Sequence, residues 1–210
     1  MTTIVLLRHA HSMANQENLL AGRTPGIKLS KTGQGQAAKL VERIGATKID
    51  HIYISPMERC QLTIAPWLNS RFSKSLLSYE IDERLNEVDY GKWSNRKLSS
   101  LRRDPLWKTI QSNPSRVQFP GGEKMKASQK RGVNIVQGLL DARGDKVNLL
   151  VAHSDLIKMI ATHFLGSPLD TFQRIDISPA SFTVISGKGT DYSIRAINSQ
   201  GALSDYLGKR

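Results

Sequence analysis

Two histidines in this sequence each follow an apolar run. If these runs are neighbouring parallel strands, the two histidines lie close together. Residues 4–7 are apolar and lead into Arg8 and His9, and the apolar run 147–152 leads into His153. Continuous apolar runs of this length are typical of strands that are buried on both faces of a sheet. Ligand-binding groups gather at the carboxyl ends of such strands. The sequence therefore predicts that two imidazoles and a guanidinium meet at one edge of a sheet.

A second arginine is placed to join this group. Residues 52–54 form a third apolar run and lead into Ser55 and Pro56, a pair that favours a helix start with Ser55 as the N-cap. Arg59 lies one turn into this predicted helix, so its side chain can reach back to the strand end. Guanidinium groups and helix N-termini offer N–H donors and positive charge to phosphate oxygens. The combination predicts capture of a phosphoryl group, with histidine as the nucleophile.

The chain as a whole alternates between strand and helix patterns, which predicts an α/β fold. We expect a three-layer α/β/α sandwich around a mostly parallel sheet, with one antiparallel strand in a C-terminal hairpin. The predicted helices cover about 31–44, 55 to Pro66, 94–115 in short pieces, 123–140 and 154–165. The remaining predictions are a loop at 15–29, an edge strand at 79–81, a hairpin of 181–185 with 192–197, and a frayed tail from Asn198.

The composition fits a folded single domain over residues 1–210. Hydrophobic residues make up 39% of the chain and charged residues 23%, which is ordinary for a globular protein. No apolar run reaches the roughly 20 residues of a membrane-spanning helix, and the apolar residues before Arg8 are too few for a secretory signal. The single cysteine, Cys60, cannot form an internal disulfide and is expected to be a small buried residue. We therefore predict a cytoplasmic protein with no membrane partner.

Positive charge is concentrated in one segment. Residues 96–146 contain 12 Lys/Arg and 4 Asp/Glu, which accounts for +8 of the net charge of +12. The positive electrostatic field of this segment would attract phosphorylated small molecules and nucleic acid alike. A solvated basic surface without a partner explains the excess charge equally well. The sequence has no RNA-binding aromatic motif, helix-turn-helix pattern or zinc-finger spacing, so specific nucleic-acid recognition is not predicted.

Five motifs, in order, resemble the histidine phosphatase, or phosphoglycerate mutase-like, superfamily over nearly the whole chain. LLRHAHSMAN (6–15) is similar to the family's Arg-His-Gly opening, and SPMERCQLTIA (55–65) to its Ser-Pro-x-x-Arg-x-x-x-Thr helix. DERLNEVDYGKW (82–93) resembles the Leu-x-Glu-x-x-x-Gly-x-Trp stretch, and FPGGE (119–123) the Pro-Gly-Gly-Glu turn. VAHSDLIKMI (151–160) is similar to the second His-Gly strand end.

The resemblance implies roles for individual residues. His9 would become phosphorylated, and Glu87 would protonate the leaving oxygen. A neutral imidazole is a competent nucleophile near pH 7, so the chemistry is consistent with this assignment. Glu83 and Asp89 flank Glu87 and are rival acids that spacing alone cannot rank. The resemblance implies no metal or other cofactor, and the implied phosphoryl-binding residues are Arg8, Asn15, Arg59 and His153.

Two positions depart from the family motifs. Ala10 and Ser154 stand where the family has glycine after each histidine. An added methyl or hydroxymethyl group could crowd a backbone that passes close to the phosphate. We expect activity to survive, because alanine is small and serine can donate a hydrogen bond.

The resemblance leaves three functions open. The first is a cofactor-independent phosphatase that hydrolyses a small phosphomonoester. The second is a 2,3-bisphosphoglycerate-dependent phosphoglycerate mutase, which is less favoured because the family's mutases usually carry Trp-Asn where this chain has Ala14-Asn15, and longer insertions over the site. The third is a phosphate-binding regulatory protein with weak catalysis. The sequence identifies neither the natural substrate, a small phosphorylated anion, nor the oligomeric state.

A basic, lid-like insertion is expected at about 94–125. It would cover the pocket and influence which substrate binds. Within the basic segment 96–146, Lys108, Lys124 and Lys126 are the side chains that we expect to attract multiply charged substrates.

Overall fold

A six-stranded sheet lies at the centre of the computed structural model, which describes residues 1–207. The strands of the chain are β1 (Thr2–Arg8), β2 (Leu19–Leu20), β3 (His51–Ile54), β4 (Ser78–Ile81), β5 (Arg96–Lys97), β6 (Val147–Ala152), β7 (Phe182–Lys188) and β8 (Asp191–Ser199). The central sheet has the order β4-β3-β6-β1-β7-β8, and β2 pairs with β5 outside it. Strands β4, β3, β6 and β1 are parallel, whereas β7 is antiparallel to β1 and forms a hairpin with β8. The predicted sheet and its C-terminal hairpin are confirmed.

Seven helices surround the sheet within the described part of the chain. They are α1 (Met13–Gln16), α2 (Lys31–Ile44), α3 (Glu58–Leu68), α4 (Leu98–Leu101), α5 (Pro105–Ser112), α6 (Met125–Asp141) and α7 (Ser154–Phe164). Short 3₁₀ turns lie at Arg71–Ser75, Glu83–Leu85, Gly91–Trp93, Pro114–Arg116, Leu169–Arg174 and Leu203–Tyr206. The predicted helices at 31–44, 123–140 and 154–165 are confirmed to within about two residues. The short helices predicted at 94–115 are present as α4, α5 and a 3₁₀ turn, but they begin only at Leu98, because residues 96–97 form β5.

The helices cover both faces of the sheet, as a three-layer sandwich requires. Ile4 and Leu6 of β1 pack into one apolar cluster together with residues of α6 and α7. Val5 and Leu7 pack into a second cluster together with residues of α2 and α3. Alternate side chains of one strand therefore point into opposite layers, which explains why the run 4–7 is apolar at every position.

The parallel register brings three strand ends to the same edge. Arg8 lies opposite Ala152 in the β1–β6 pair, and Ile54 lies opposite Val151 in the β3–β6 pair. The segments that follow these strands therefore emerge side by side, where α/β sheets bind their ligands.

The start of α3 differs from the prediction. The helix begins at Glu58 with Met57 as its N-cap, not at Ser55 and Pro56. The Ser55 hydroxyl forms a hydrogen bond with the ring of His153, which follows the neighbouring strand β6. Pro66 lies inside the last turn, and the helix ends two residues later at Leu68.

Two segments predicted to be irregular are more ordered than expected. The predicted loop 15–29 contains the end of α1 and the short strand β2. The predicted frayed tail contains the end of β8 and a 3₁₀ turn in which Leu203 is fully buried. Arg43 of α2 holds this tail by donating to the carbonyl oxygens of Ser199 and Gly201. The expectation for residues 208–210 lies outside the described residues.

Within residues 1–207, no helix combines the length and apolar character that crossing a membrane requires.

Candidate active site

The carboxyl ends of β1 and β6 bring His9 and His153 together. The centroids of the two imidazole rings are 5.3 Å apart, and the ring planes meet at 62°. The backbone N–H of His9 donates to the carbonyl oxygen of Ala152 at 2.9 Å, and this hydrogen bond connects the two strand ends. Both histidines are buried, with His9 5% exposed and His153 0%. The two imidazoles thus meet at one sheet edge.

His9 is a neutral imidazole with one unprotonated nitrogen. Its Nδ1 lies 2.7 Å from the carbonyl oxygen of Ala10. Because a carbonyl oxygen only accepts, the hydrogen bond assigns the proton to Nδ1 and leaves the lone pair on Nε2. Burial, followed by the positive charges of Arg59 and Arg8, holds the pKa of His9 well below its usual value. The nucleophilic form is therefore the one present at neutral pH.

His153 has the opposite tautomer. A guanidinium nitrogen of Arg59 lies 3.1 Å from its Nδ1, and since a guanidinium only donates, Nδ1 accepts. Nε2 then carries the proton and donates it to the Ser55 hydroxyl at 2.8 Å. Burial, followed by the charge of Arg59, lowers the pKa of His153 well below its usual value. Ser55 therefore orients a histidine of the site.

Arg8 and Arg59 place two guanidinium groups beside the histidines. Arg8 donates to the carbonyl oxygen of Ile177, and Arg59 donates to that of Gly22 at 2.7 Å. Burial lowers the pKa of Arg8, and the nearby Glu87 carboxylate opposes this effect. Among the described residues, the Nε atoms of both arginines are buried without a hydrogen-bond partner. Such donors are costly to bury unless an anion accepts from them, so these groups suit a phosphate.

Glu87 has the properties of a general acid near neutral pH. It is 8% exposed, and burial, followed by the negative charge of Asp155, raises its pKa to about 7. Its Oε1 accepts from the N–H of Val88 at 3.0 Å, and its Oε2 lies 4.0 Å from His153 Nδ1. At neutral pH the side chain is therefore part protonated and can both give and take a proton.

Asn15 lies in α1 at the edge of the same site. Its Oδ1 accepts hydrogen bonds from the backbone N–H and the hydroxyl of Ser12, both at 3.0 Å. The Ser12 hydroxyl in turn accepts from the Asn15 N–H, which completes a capping box. The capping box therefore fixes the orientation of the Asn15 amide.

The two departures from glycine have different surroundings. Ala10 is fully buried and packs in the same apolar cluster as Val5 and Leu7. Ser154 begins α7, and its hydroxyl lies 3.5 Å from the carbonyl oxygen of Ile177, the group that Arg8 also contacts. The Ala10 methyl therefore packs in the core, and only the Ser154 side chain borders the site.

These residues border a cavity of about 270 Å³. Arg8, His9, Arg59 and Glu87 are among the residues that line it, whereas His153 is not. The amide side chains of Gln111 and Gln173 also line it. The apolar side chains of the lining are Leu19, Leu20, Ala21, Trp93, Leu98, Trp107, Ile110, Phe119 and Met125.

The three lysines predicted to select the substrate do not line this cavity. Lys108, Lys124 and Lys126 are all exposed on the surface. Any effect they have on substrate capture therefore acts at long range through the electrostatic field.

Sequence reasoning missed a carboxylate and a phenol that adjoin Glu87. Tyr90 donates its hydroxyl to Asp155 Oδ2 at 2.7 Å, and both side chains line the cavity. Asp155 follows Ser154 at the start of α7. A negative charge at a helix N-terminus was visible in the sequence, but its proximity to Glu87 depends on the fold.

Replacing Asp155 with asparagine is expected to lower the pKa of Glu87. The negative charge of Asp155 raises the pKa of Glu87. Without that charge, Glu87 loses its proton at a lower pH. If Glu87 is the general acid, the alkaline limb of the kcat/KM profile for an alkyl phosphate shifts to lower pH. Asp191→Asn, which makes the same charge change at an exposed position, should leave the limb in place. An unmoved limb in Asp155→Asn would contradict the coupling.

A second missed feature is an ion cluster that holds the backbone of Glu87. Glu123 Oε1 lies 3.2 Å from Arg23 and 2.9 Å from Arg131. Arg23 Nε donates to the Glu87 carbonyl oxygen at 2.9 Å, and the Asp89 N–H donates to Glu123 at 3.0 Å. The cluster therefore connects the loop that carries Glu87 to the turn before α6.

Glycines let this turn approach the loop closely. A Cβ atom added to Gly122 would lie 2.2 Å from the Asp89 carbonyl oxygen, and one added to Gly91 would lie 2.3 Å from that of Pro120. Gly91 also has a positive φ of 51°. The Pro-Gly-Gly-Glu motif thus positions the acid loop.

Replacing Glu123 with glutamine should therefore reduce catalysis through Glu87. Loss of the charge loosens the two arginines that hold the loop, and we expect kcat for alkyl phosphates to fall roughly tenfold with little change in KM. A double-mutant cycle tests the route of the effect. In a Glu87→Gln background, Glu123→Gln should cause no further loss, and an additive loss would indicate a purely structural role.

The only cysteine is buried, as predicted. Cys60 is fully buried and is a free thiol, and burial raises its pKa to about 12. The thiol is therefore protonated and unreactive at neutral pH. No cluster of His, Cys, Asp and Glu suited to a metal ion is present in residues 1–207.

The sequence is similar to the sequences of known proteins. The sequence model of the histidine phosphatase superfamily (branch 1) matches residues 4–200. Phosphoserine phosphatase 1 of Hydrogenobacter thermophilus is 26% identical over 190 residues, which cover 88% of this chain and 86% of that protein. The 2,3-bisphosphoglycerate-dependent phosphoglycerate mutase of Thermoplasma acidophilum is 28% identical over 204 residues, which cover 97% of this chain and 94% of that protein.

Solved structures share the fold. YhfR of Bacillus stearothermophilus superimposes with a TM-score of 0.85 at 25% identity, covering 96% of this chain and 99% of that one. The alpha-ribazole phosphatase of Shigella flexneri superimposes with a TM-score of 0.81 at 23% identity, covering 95% and 98%. The family match includes every residue that lines the cavity.

Proposed function

Because the chain belongs to the histidine phosphatase superfamily, branch 1, we propose that it is a phosphatase that hydrolyses a small phosphomonoester through a phosphohistidine at His9. The observation that carries the proposal is the pairing of a neutral imidazole with a carboxyl group of raised pKa in the lining of a cavity. Two guanidinium groups in the same lining match the charge of a phosphate dianion. The reaction needs no metal or organic cofactor, because these side chains supply the nucleophile, the acid and the positive charge.

In the first step, His9 Nε2 attacks phosphorus and the bond between phosphorus and the ester oxygen breaks. Glu87 gives its proton to the departing oxygen, and the alcohol leaves. Arg8 and Arg59 contribute positive charge to the equatorial oxygens, where negative charge accumulates in the transition state. Asn15, which lines the cavity, is proposed to hydrogen-bond to the same oxygens. The sequence assigned His153 to these oxygens as well, but its two ring nitrogens contact Arg59 and Ser55, so we propose instead that His153 holds the Arg59 guanidinium in position.

In the second step, water attacks phosphorus and the bond to His9 Nε2 breaks. Glu87, now ionised, accepts the proton of the attacking water. Inorganic phosphate leaves, and His9 and Glu87 return to their starting forms. A covalent intermediate divides one difficult displacement into two easier ones.

A phosphoglycerate mutase is the second candidate, because the relative from T. acidophilum is one. A mutase would transfer the phosphoryl group from His9 to a second hydroxyl instead of to water. The deciding experiment incubates the protein with 3-phosphoglycerate, with and without 2,3-bisphosphoglycerate. We expect no formation of 2-phosphoglycerate under either condition, and its efficient formation would replace the phosphatase assignment.

We further propose that residues 94–125 act as a lid-like insertion within one domain spanning 1–210. Leu98, Trp107 and Ile110 of this segment border the cavity, which supports a role in substrate choice. Deleting α4 and α5 while keeping the flanking chain should broaden the range of esters hydrolysed.

The partner we propose is a small phosphorylated anion, and the location we propose is the cytoplasm. The guanidinium pair supports the first, and the buried free thiol of Cys60 is consistent with the second. Cell fractionation would test the location directly.

A further inference from the structure

Six apolar side chains of the cavity lining form what we call the apolar wall, and they are Trp93, Leu98, Trp107, Ile110, Phe119 and Met125. The rings of Trp93 and Trp107 are stacked, with centroids 6.3 Å apart and planes inclined by 19°. Phe119 meets Trp93 edge to face at 5.7 Å. The wall is thus a packed aromatic and aliphatic surface that can remove apolar groups of a ligand from water.

This wall offers no positive charge to a second anionic group. Within the described chain, Arg8 and Arg59 are the only lysine or arginine side chains that line the cavity, and the transferring phosphoryl group occupies both. Two acidic side chains, Glu87 and Asp155, also line it. A carboxylate or second phosphate on the alcohol would therefore lose hydration and gain no cation, only the neutral amide donors of Gln111 and Gln173, which is unfavourable.

We propose that the substrate is the phosphomonoester of an uncharged, largely apolar alcohol, with an alkyl or aryl group seated against the apolar wall. The inference rests on the phosphatase function proposed above and deepens it. It departs from the expectation that the basic segment selects multiply charged substrates. The segment attracts anions to the protein at long range, whereas its apolar side chains contact the alcohol.

The wall predicts a dependence on chain length that the chemistry alone would not give. Unbranched alkyl phosphates differ little in the leaving oxygen, so differences among them report on binding of the alkyl group. Removing each methylene from water should raise kcat/KM about two- to fourfold from ethyl to hexyl phosphate. Specificity of this kind comes from contacts made far from the reacting atoms.

The first experiment measures kcat/KM of the wild-type protein for 3-phosphoglycerate, phosphoserine, methyl phosphate, ethyl phosphate, butyl phosphate, hexyl phosphate and 6-phosphohexanoate. The last two substrates have the same chain length and differ at the end, where one carries a methyl group and the other a carboxylate. We expect hexyl phosphate to be preferred by at least about 30-fold. A flat alkyl series, or a preference for 6-phosphohexanoate, 3-phosphoglycerate or phosphoserine, would overturn the proposal.

Two substitutions in α5 test the wall itself. Trp107→Ala should flatten the alkyl series, which is measured as the ratio of kcat/KM for hexyl phosphate to that for methyl phosphate within the same variant. Ile110→Lys adds a cation and should shift the ratio of hexyl phosphate to 6-phosphohexanoate towards the carboxylate. Lys108→Ala, on the exposed face of the same helix, is the matched control and should leave the ratio unchanged.

The outcomes separate this inference from the proposed function. If none of these esters releases phosphate, the phosphatase function itself is wrong. If the esters are hydrolysed but the carboxylate-bearing ones are preferred, the function holds and the substrate class is wrong. A Trp107→Ala variant that keeps the wild-type ratio of hexyl to methyl phosphate would overturn the role of the wall.

Discussion

Replacing His9 with alanine is expected to reduce kcat/KM at least about 10⁴-fold for every ester that the wild-type protein hydrolyses. The imidazole is the only proposed nucleophile, and without it neither the covalent intermediate nor its hydrolysis can occur. The loss should be equal for good and poor leaving groups, because both must pass through attack by His9 Nε2. Steady-state phosphate release measures the effect, and circular dichroism confirms that the variant is folded.

The intermediate itself should be detectable. Mixing the wild-type protein with excess substrate and quenching in alkali, where phosphohistidine persists, should give a mass increase of one phosphoryl group on the peptide that contains His9. His163→Ala, which removes an exposed histidine of α7, should retain both the label and the activity. A wild-type protein that never becomes labelled and never releases phosphate would instead fit the regulatory role. A labelled protein with slow hydrolysis would point to phosphoryl transfer to an acceptor other than water.

The strand ends at the site were predictable because a buried strand is recognised from consecutive residues of the sequence. A run that is apolar at every position, such as 4–7, is a strand buried on both faces, and parallel strands must end at a common edge. The positions of Arg8, His9 and His153 follow from these two rules. The partner and protonation state of each imidazole did not follow, because they depend on the hydrogen bond that His9 donates to Ala10 and on those that His153 makes with Arg59 and Ser55.

The surroundings of Glu87 were less accessible to sequence reasoning. Glu83, Glu87 and Asp89 are close together in sequence, and their spacing does not show which of them lines the cavity. Asp155 is remote in sequence and acts on Glu87 only because α7 starts beside the loop. The side chains of the basic segment that contact the cavity could not be predicted from its charge, for a related reason. Its net charge is a property of the surface, whereas the cavity contacts the few side chains of that segment that point inward.

Replacing Glu87 with glutamine should make the reaction depend strongly on the leaving group. An alkoxide is a poor leaving group and needs a proton in the transition state, so kcat for alkyl phosphates should fall about 10²- to 10⁴-fold. The leaving oxygen of 4-nitrophenyl phosphate departs without protonation, so phosphorylation of His9 should stay fast. Hydrolysis of the intermediate should slow, because glutamine cannot accept a proton from water. Rapid mixing should therefore show a burst of one nitrophenolate per protein, followed by slow turnover.

The pH dependence gives an independent check on the same residue. Glu87 acts as an acid when protonated, and its pKa is about 7, so kcat/KM for alkyl phosphates should fall as the pH rises through this value. The pKa of His9 lies well below its usual value, so the acidic limb lies below about pH 6.5. In Glu87→Gln the alkaline limb should disappear while the acidic limb remains. Equal losses for alkyl and 4-nitrophenyl phosphate, with the alkaline limb intact, would assign the proton to another group, and Asp155 would be the first to test.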